Sequence, residues 1–211
     1  GKKENLIFAQ GNNNFELIEG DIRDYKTCLS SAQGVDYILH QAALRSVPKS
    51  MVDPYSYNDV NINGTLNLLR AAKECKVKRF VFASSSSVYG DTAVFPEKED
   101  FLPQLISPYA LSKLAGEYYC RIFSENYKLT TISLRYFNVF GPRQSLDDEY
   151  AVVIPKFIHC ILHDEQPPIF GNGKQSRDFT YIANVVQANV LAATKEKVKS
   201  AVFNVANNKD H

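Results

Sequence analysis

The chain has 211 residues, of which 45% are hydrophobic and 22% charged, and its net charge at pH 7 is +1. This is an ordinary globular composition, and the near-zero charge gives no indication of a nucleic-acid partner or an anionic membrane surface. No apolar run reaches the roughly 18 residues of a membrane-spanning helix, and residues 1–5 lack the apolar core of a signal peptide. We therefore predict a cytoplasmic protein, not bound to a membrane, whose four widely spaced cysteines are reduced thiols.

Strand-like and helix-like segments alternate along the chain, which predicts an α/β fold with a doubly wound, mainly parallel sheet. In the first half, we expect strands at 15–18, 35–40 and 79–83. The last of these is a continuous apolar run, as in strands buried on both faces. Apolar residues recur on one helical face between 59 and 75, which predicts a helix there.

The second half begins with a strong helix signal. Ser107 and Pro108 form a typical N-cap and first helical position, so we predict a helix from Tyr109 to about Tyr127. A strand at 130–139, a helix at 155–163, a helix at 184–193 and a strand at 201–206 follow. The segment 167–173 is interpreted as a strand that ends in a hairpin turn at Gly171–Gly173, and not as a phosphate loop.

The sheet predicted in this way is incomplete. Doubly wound sheets that bind dinucleotides have the strand order 3-2-1-4-5-6, with a Gly-rich loop after strand 1. If residues 15–18 form strand 3, the sequence contains no counterpart of strands 1 and 2 or of that loop. Strand 4, at 35–40, would then have an open edge. We therefore expect this chain to be a piece of a longer protein.

The residues with the clearest chemical meaning are Tyr109 and Lys113. On a helix they lie about one turn apart on the same face, and a cation so placed lowers the pKa of a phenol. A hydroxyl from the Ser84–Ser87 turn can share the phenol's proton, which would suit removal of a proton from an alcohol as a hydride leaves its carbon. Alone, the Tyr-Lys spacing is more often a solvated helix face. The serine turn favours a site, because it follows a buried strand whose carboxyl end faces the ligand crevice.

Six motifs in order resemble the extended short-chain dehydrogenases/reductases, in their NAD-dependent nucleotide-sugar epimerase branch. They cover essentially the entire chain and are Gly20–Asp24, His40–Ala43, Ser85-Ser86 with Tyr89-Gly90, Ser107–Tyr109 with Lys113, Arg135–Pro142 and Arg177–Phe179. The chain is most similar to UDP-N-acetylglucosamine and UDP-glucose 4-epimerases within that branch. The resemblance implies a Rossmann-like fold, with 1–141 as a partial NAD-binding domain. Residues 142–211 would then form a substrate-binding lobe interleaved with a returning Rossmann helix and strand.

The resemblance also implies NAD as cofactor, a UDP-sugar as substrate and a role for each site residue. The catalytic set would be Tyr109 as base, Lys113 beside the nicotinamide ribose, and Ser85 with Ser86 at the reacting oxygen. Cofactor contacts would also come from Asp21, Ile22, Ala42, Ala43, Ser84 and Tyr136. Substrate contacts would come from Ser46, Ser86, Ser87, Asn138, Val153 and Arg177. Arg177 could instead form an ion pair with Asp178. Ala42 and Ala43 could instead be small residues of the protein core.

Ser86 and Ser87 bear on the choice of reaction. In the related dehydratases and decarboxylases acidic residues stand at these positions, so two serines favour epimerisation at C4 of the sugar. Arg45 leaves the identity of the sugar undecided, since a cation at this position would also suit a sugar carboxylate, as in a UDP-uronate epimerase. The alternative from another class is a non-catalytic fragment or scaffold protein. The family resemblance further implies a homodimer in which the helices at 59–75 and 109–127 form a four-helix bundle.

No metal site is predicted. His159 and His163 have the i, i+4 spacing of a ligand pair, but the Glu that follows the first His in zinc-protease helices is missing. The acidic run Asp147–Glu149 is interpreted as a solvated loop.

The missing Gly-rich loop yields a first testable prediction. Without strand 1 and the helix that follows it, no helix N-terminus receives the cofactor's pyrophosphate, so residues 1–211 alone should bind NAD weakly and should not epimerise. Calorimetric titration of this chain with NAD measures the affinity. A dissociation constant in the micromolar range would contradict the prediction.

Overall fold

The computed structural model describes residues 2–145, 153–169 and 171–208, so the acidic run Asp147–Glu149 lies outside the described residues. Helices and strands alternate along most of the chain. The helices are α1 Tyr25–Ser31, α2 Val47–Val52, α3 Pro54–Tyr57, α4 Gly64–Glu74, α5 Pro108–Tyr127, α6 Val153–Leu162 and α7 Ile182–Thr194. The strands are β1 Tyr37–His40, β2 Arg79–Ser85, β3 Thr130–Tyr136, β4 Val139–Phe140, β5 Thr180–Tyr181 and β6 Ala201–Val205. A π-helical turn at Asn58–Asn63 precedes α4, and 3₁₀ turns lie at Lys3–Ala9 and Ser86–Tyr89.

Four strands form one parallel sheet in the order β1-β2-β3-β6, and β4 pairs with β5 in a separate parallel ribbon. The expected α/β fold with a parallel sheet of Rossmann type is thereby confirmed. The late strand β6 pairs in parallel with β3 at one edge of the sheet.

The central strand β2 is buried over its whole length, as its apolar sequence predicts. Its side chains alternate between the two faces of the sheet. Phe80 and Phe82 pack against α4 and α5, in a cluster with Leu69 and Phe123. Val81 points to the opposite face, where it packs in a cluster with residues of α7. The sheet is therefore covered by helices on both faces.

Helix α5 lies directly on β2. Its start is as predicted, with Pro108 in the first turn and the Ser107 hydroxyl accepting the N–H of Ala110 at 3.1 Å. Gly116 permits the close approach, because a Cβ atom at this position would lie 2.3 Å from Cζ of Phe82. The first turns of α5 are thus held beside the carboxyl end of β2.

Two predicted strands are wrong. Residues 15–18 form no strand, and Leu17 and Ile18 are about half exposed, at 48% and 52%. A strand needs a ladder partner for its N–H and C=O groups, and within the described residues the outer edge of β1 is unpaired. The described residues of 167–173 likewise form turn and irregular structure, while Phe170 lies outside them. The expected open edge is present at β1, where Tyr37 and Leu39 are exposed.

Candidate active site

The serine turn and the start of α5 meet at the carboxyl end of β2. Ser85 is the last residue of β2, and its hydroxyl accepts the N–H of Ser87 at 3.2 Å as the cap of the 3₁₀ turn. The same hydroxyl donates to Ser87 Oγ at 3.1 Å, and it lies close enough to the phenol of Tyr109 to lower the pKa of that phenol. The structure therefore brings Ser85 and Tyr109 together, as the sequence predicts.

Tyr109 packs edge-to-face on Tyr57, with ring centroids 6.3 Å apart. Desolvation raises the pKa of its phenol, while the contact with Ser85 and the charge of Arg45 act in the opposite direction. We expected the nearby ammonium of Lys113 to lower this pKa. That expectation is wrong: the pKa of Tyr109 is raised, because burial outweighs the contact with Ser85 and the charge of Arg45, and Lys113 is not among the groups that shift it. At neutral pH Tyr109 is thus a neutral phenol in this state.

Lys113 is buried, and its Nζ donates to the backbone oxygen of Ala83 at 2.8 Å. The ammonium lies 5.3 Å from the ring centroid of Phe82 and 5.8 Å from that of Tyr109. Burial lowers the pKa of Lys113 to about 8. A lysine with this pKa can change its protonation state with small changes in its surroundings.

His40, the last residue of β1, is a buried neighbour that sequence reasoning left without a role. Its Nε2 is 2.8 Å from Thr65 Oγ1, and its Nδ1 has no hydrogen-bond partner in the described part of the chain. Burial, together with the charge of Lys113, lowers the pKa of His40 to about 3. The imidazole is therefore neutral beside the lysine.

Asn61 is another residue that the sequence did not single out. Its amide pairs with both backbone groups of Leu44, at 2.8 and 2.9 Å, and also donates to Ser112 Oγ at 3.0 Å. It lies in the π-helical turn before α4, and such turns are frequent at functional sites. Asn61 thus fixes the loop after β1 against α5, one residue before Arg45.

A buried ion pair lies behind the serine turn. Arg135 Nη2 and Glu117 Oε2 are 2.8 Å apart, and each side chain is 5% exposed. Glu117 also accepts a hydrogen bond from the Ser84 hydroxyl at 2.5 Å, and Arg135 donates to Tyr89 Oη at 2.8 Å. Because its hydroxyl is engaged in this network, Ser84 would reach a cofactor through its backbone.

A cavity of about 1180 Å³ opens beside these groups. Four of the six predicted substrate residues line it, namely Ser86, Ser87, Asn138 and Arg177. Of the other two, Ser46 caps α2 next to Val47, which also lines the cavity. Val153 begins α6, is about half exposed and is not among the lining residues.

The wall that carries Arg177 is fixed by Asn138 and Asp178. Asn138 Nδ2 donates to the backbone oxygen of Asp178 at 2.9 Å, and Asn138 has the unusual φ of +21°. The carboxylate of Asp178 accepts the backbone N–H groups of Asn207 and Asn208. Arg177 is exposed, and Nη1 donates to the oxygen of Ser176 at 2.7 Å. A guanidinium on a cavity wall is well suited to phosphate oxygens.

The remaining predicted cofactor residues lie in two places. Asp21 and Ile22 precede α1, with the side chain of Ile22 against Gly64 of α4. Ala42, Ala43 and Tyr136 lie at the carboxyl ends of β1 and β3. Asp21 is exposed and accepts the guanidinium of Arg23 at 2.6 Å, which lowers its carboxyl pKa to about 2. Ala42 and Ala43 follow β1, where their small side chains leave the backbone accessible. Tyr136, at the end of β3, bonds through its hydroxyl to Gln41 at 3.0 Å and to Asn189.

This donor set fits part of a dinucleotide. The buried ammonium of Lys113 and the phenol of Tyr109 converge at the carboxyl edge of a parallel sheet, where such ligands bind. Lys113 and Tyr109 would hold the nicotinamide ribose, and Ala42 and Ala43 would permit close approach of the pyrophosphate. Fold and site together define a doubly wound α/β protein of the nucleotide-binding type with a Ser-Tyr-Lys group.

Comparison with known proteins gives the family. The model of the NAD dependent epimerase/dehydratase family matches residues 2–206, and the chain belongs to this family. It is 37% identical to a UDP-glucose 4-epimerase of Mycolicibacterium smegmatis and 34% identical to the human dTDP-D-glucose 4,6-dehydratase, over 91% and 97% of the chain. It spans 62% and 58% of the lengths of these two relatives.

A similar solved structure supports the same family assignment. The UDP-N-acetylglucosamine 4-epimerase from Methanobrevibacter ruminantium M1, determined with UDP-N-acetylmuramic acid, is 43% identical and superposes with a TM-score of 0.95. All of this chain is covered, and 67% of that chain. The family assignment and the predicted cofactor, NAD, are therefore confirmed. Within the described residues, no helix combines the length and apolarity needed to cross a membrane.

The lowered pKa of Lys113 leads to a prediction about stability. Between about 8 and the ordinary value of 10.5, the folded protein holds fewer protons than the unfolded chain, so its free energy of unfolding rises with pH. Relative to the variant Lys113→Met, the wild type should therefore gain roughly 1 kcal/mol between pH 7 and about pH 9. Urea unfolding at the two pH values measures the difference.

The matched control is Lys98→Met, since Lys98 is exposed. This variant should keep a constant difference from the wild type at both pH values. If Lys113→Met does the same, the ammonium of Lys113 is not desolvated as described.

Proposed function

We propose that these residues supply the proton-transfer and sugar-binding groups of an NAD-dependent UDP-sugar 4-epimerase that acts on UDP-N-acetylglucosamine or UDP-glucose. One observation carries the proposal. The phenol of Tyr109 contacts Ser85, which contacts Ser87 on the wall of the cavity. An acid–base group thus connects through hydroxyls to a space large enough for a sugar nucleotide. A scaffold protein would not need a buried lysine and phenol beside such a cavity.

Substrate binding would use the cavity wall that carries Arg177 and Asn138. Arg177 would pair with the diphosphate oxygens, and Asn138 would position them. Ser86 and Ser87 would donate to the hydroxyls of the sugar. These contacts would place the 4-hydroxyl beside Ser87, from which Ser85 connects to Tyr109; Ser85 and Tyr109 themselves are not among the lining residues of the cavity.

Proton transfer would then pass through Ser85 to Tyr109. Bound NAD would supply a reversible hydride acceptor for C4, so the reaction has no net redox change. The raised pKa of Tyr109 means that the phenolate needs cations, and Lys113 and Arg45 are the two near it. Tyr109 would return the proton when the ketone is reduced on its other face.

The side chains at 86 and 87 support epimerisation over dehydration. Both are hydroxyls on the cavity wall, and neither is a strong acid or base at neutral pH. Of the four lining carboxylates, Glu99 accepts the N–H of Asn204 and Asp178 accepts that of Asn207, so these two hold backbone in place. Asp91 and Glu97 also line the cavity, and burial raises the pKa of Glu97, so only positions 86 and 87 favour epimerisation over dehydration.

The test of this function is epimerase activity in the longest polypeptide that the gene encodes around these residues. Conversion of UDP-glucose and of UDP-N-acetylglucosamine to the galacto epimers is followed by chromatography. Tyr109→Phe should lower kcat by roughly 100-fold or more, because it removes the proton acceptor. Tyr55→Phe, at an exposed tyrosine of α3, is the matched control and should keep its activity.

Two results would count against the proposal. Formation of a dehydrated sugar product would show that the protein is a dehydratase and not an epimerase. Full activity of Tyr109→Phe would remove Tyr109 from the reaction.

Arg45 favours a second candidate, an epimerase for UDP-sugars that carry a carboxylate. Its charge acts on Tyr109, and its backbone oxygen is fixed by the hydroxyl of Tyr57. The preceding residue, Leu44, is held by Asn61, so the position of Arg45 is well determined. The similar archaeal structure was determined with UDP-N-acetylmuramic acid, a carboxylate-bearing ligand.

This candidate predicts a change of specificity. Arg45→Gln should lower kcat/KM for UDP-glucuronate roughly tenfold or more relative to UDP-glucose, since a charged hydrogen bond is lost. Lys49→Gln, an exposed cation in the same segment, should change both substrates alike. An equal effect of Arg45→Gln on both substrates would assign Arg45 to the phosphates or to Tyr109 alone.

We also propose that the protein is a cytoplasmic homodimer. Helix α5 carries an apolar stripe of Leu111, Tyr118 and Ile122, each 45–54% exposed. With α4 it would form the expected four-helix bundle across a two-fold axis. The four free cysteines accord with a reducing compartment. Light scattering that gave a strict monomer for the longest encoded polypeptide would contradict the dimer.

A further inference from the structure

The end of α6 gathers three different metal-binding donor types outside the candidate active site. His159, Cys160 and Glu165 each offer one ligand atom, and these three atoms lie within 4.8 Å of one another. His159 and Glu165 are solvent-accessible, whereas Cys160 is buried. None of the three lines the large cavity. The cluster therefore needs an explanation separate from the proposed sugar site.

The backbone at the helix end brings Glu165 to this place. The Glu165 N–H donates to the oxygen of Cys160 at 2.8 Å, and the Asp164 N–H to that of Ile161 at 3.4 Å. With Asp164 at φ +54°, this is a Schellman end in which the chain folds back over the last turn. Glu165 Oε2 is thereby placed 3.9 Å from His159 Nδ1.

His163 restrains the imidazole of His159. The two rings are stacked, with centroids 4.1 Å apart and planes 17° apart. Nδ1 of His163 lies 2.8 Å from the backbone oxygen of His159, so this nitrogen carries the proton and donates it. The His163 ring is held in place by this bond, and its stacking limits the orientations that the His159 imidazole can take.

We propose that His159, Cys160 and Glu165 bind one Zn²⁺ ion, with a fourth position open to water. The donors are a nitrogen, a sulfur and an oxygen, a mixed set that suits zinc and excludes Mg²⁺ and Ca²⁺, which prefer oxygen alone. Bond lengths of about 2.0–2.3 Å place tetrahedral donors about 3.5 Å apart. The ligand atoms, now within 4.8 Å of one another, would come this close on binding mainly through rotation of the exposed Glu165 side chain.

The test is a titration of the longest untagged polypeptide that the gene encodes around these residues, with ZnCl₂ in a calorimeter and with Co²⁺ in an absorption spectrometer. One equivalent of Zn²⁺ should bind, and the Co²⁺ form should show a thiolate charge-transfer band. His159→Ala and Glu165→Gln should each weaken Zn²⁺ binding by roughly tenfold or more. Cys160→Ser should abolish the charge-transfer band.

Matched controls separate ligands from neighbours. His163→Phe keeps a stacked ring without a donor nitrogen, so it should retain binding within a few-fold. His211→Ala removes a histidine outside the described residues and should have no effect. His159 and Glu165 are accessible, so their variants decide the question if Cys160→Ser does not fold, as circular dichroism would show.

Three results would overturn the proposal. They are no Zn²⁺ binding at millimolar concentration, binding that His159→Ala and Glu165→Gln leave unchanged, and a Co²⁺ form without a thiolate band. Each would reduce the cluster to an ordinary ion pair between His159 and Glu165.

Discussion

The contact between Gly116 and the ring of Phe82 is the constraint on which the site depends. A side chain at 116 would meet a buried aromatic ring at 2.3 Å, so only glycine permits α5 to lie so close to β2. The same approach brings Lys113 Nζ within 2.8 Å of the Ala83 oxygen and Tyr109 into contact with Ser85. A wider helix–strand separation would leave the lysine solvated and the serine and tyrosine apart.

Burial is the common cause of the unusual acid–base properties. It lowers the pKa of Lys113 to about 8 and raises that of Tyr109, so both groups are shifted toward their neutral forms. His40 is held neutral by the same effect. The scaffold therefore favours low charge around the phenol. A ligand that brings positive charge into this space would shift Tyr109 toward the phenolate and make it a usable base.

The sequence predicted what local signals encode. The cap of α5 and the buried strand β2 follow from a Ser-Pro pair and an apolar run. The approach of Ser85 to Tyr109 was expected because the serine turn follows a buried strand, whose carboxyl end faces the ligand crevice. Contacts between distant segments were missed, because no local pattern marks them. Asn61 joins the loop after β1 to α5, and Glu117 joins α5 to Arg135 on β3. The segment 15–18 has the composition of a strand, but composition cannot supply the ladder partner that a strand requires.

The four consecutive serines illustrate how one uniform sequence acquires distinct tasks. Alternation along β2 turns Ser84 toward the helix face, where its hydroxyl donates to the buried Glu117. Ser85, at the end of the strand, caps the following turn and contacts Tyr109. Ser86 and Ser87 then reach the cavity wall because the chain leaves the sheet at this point. Since Glu117 is also held by Arg135, the buried ion pair fixes the strand end from behind. The position of Ser85 relative to the cavity therefore depends on two buried charges that do not line the cavity.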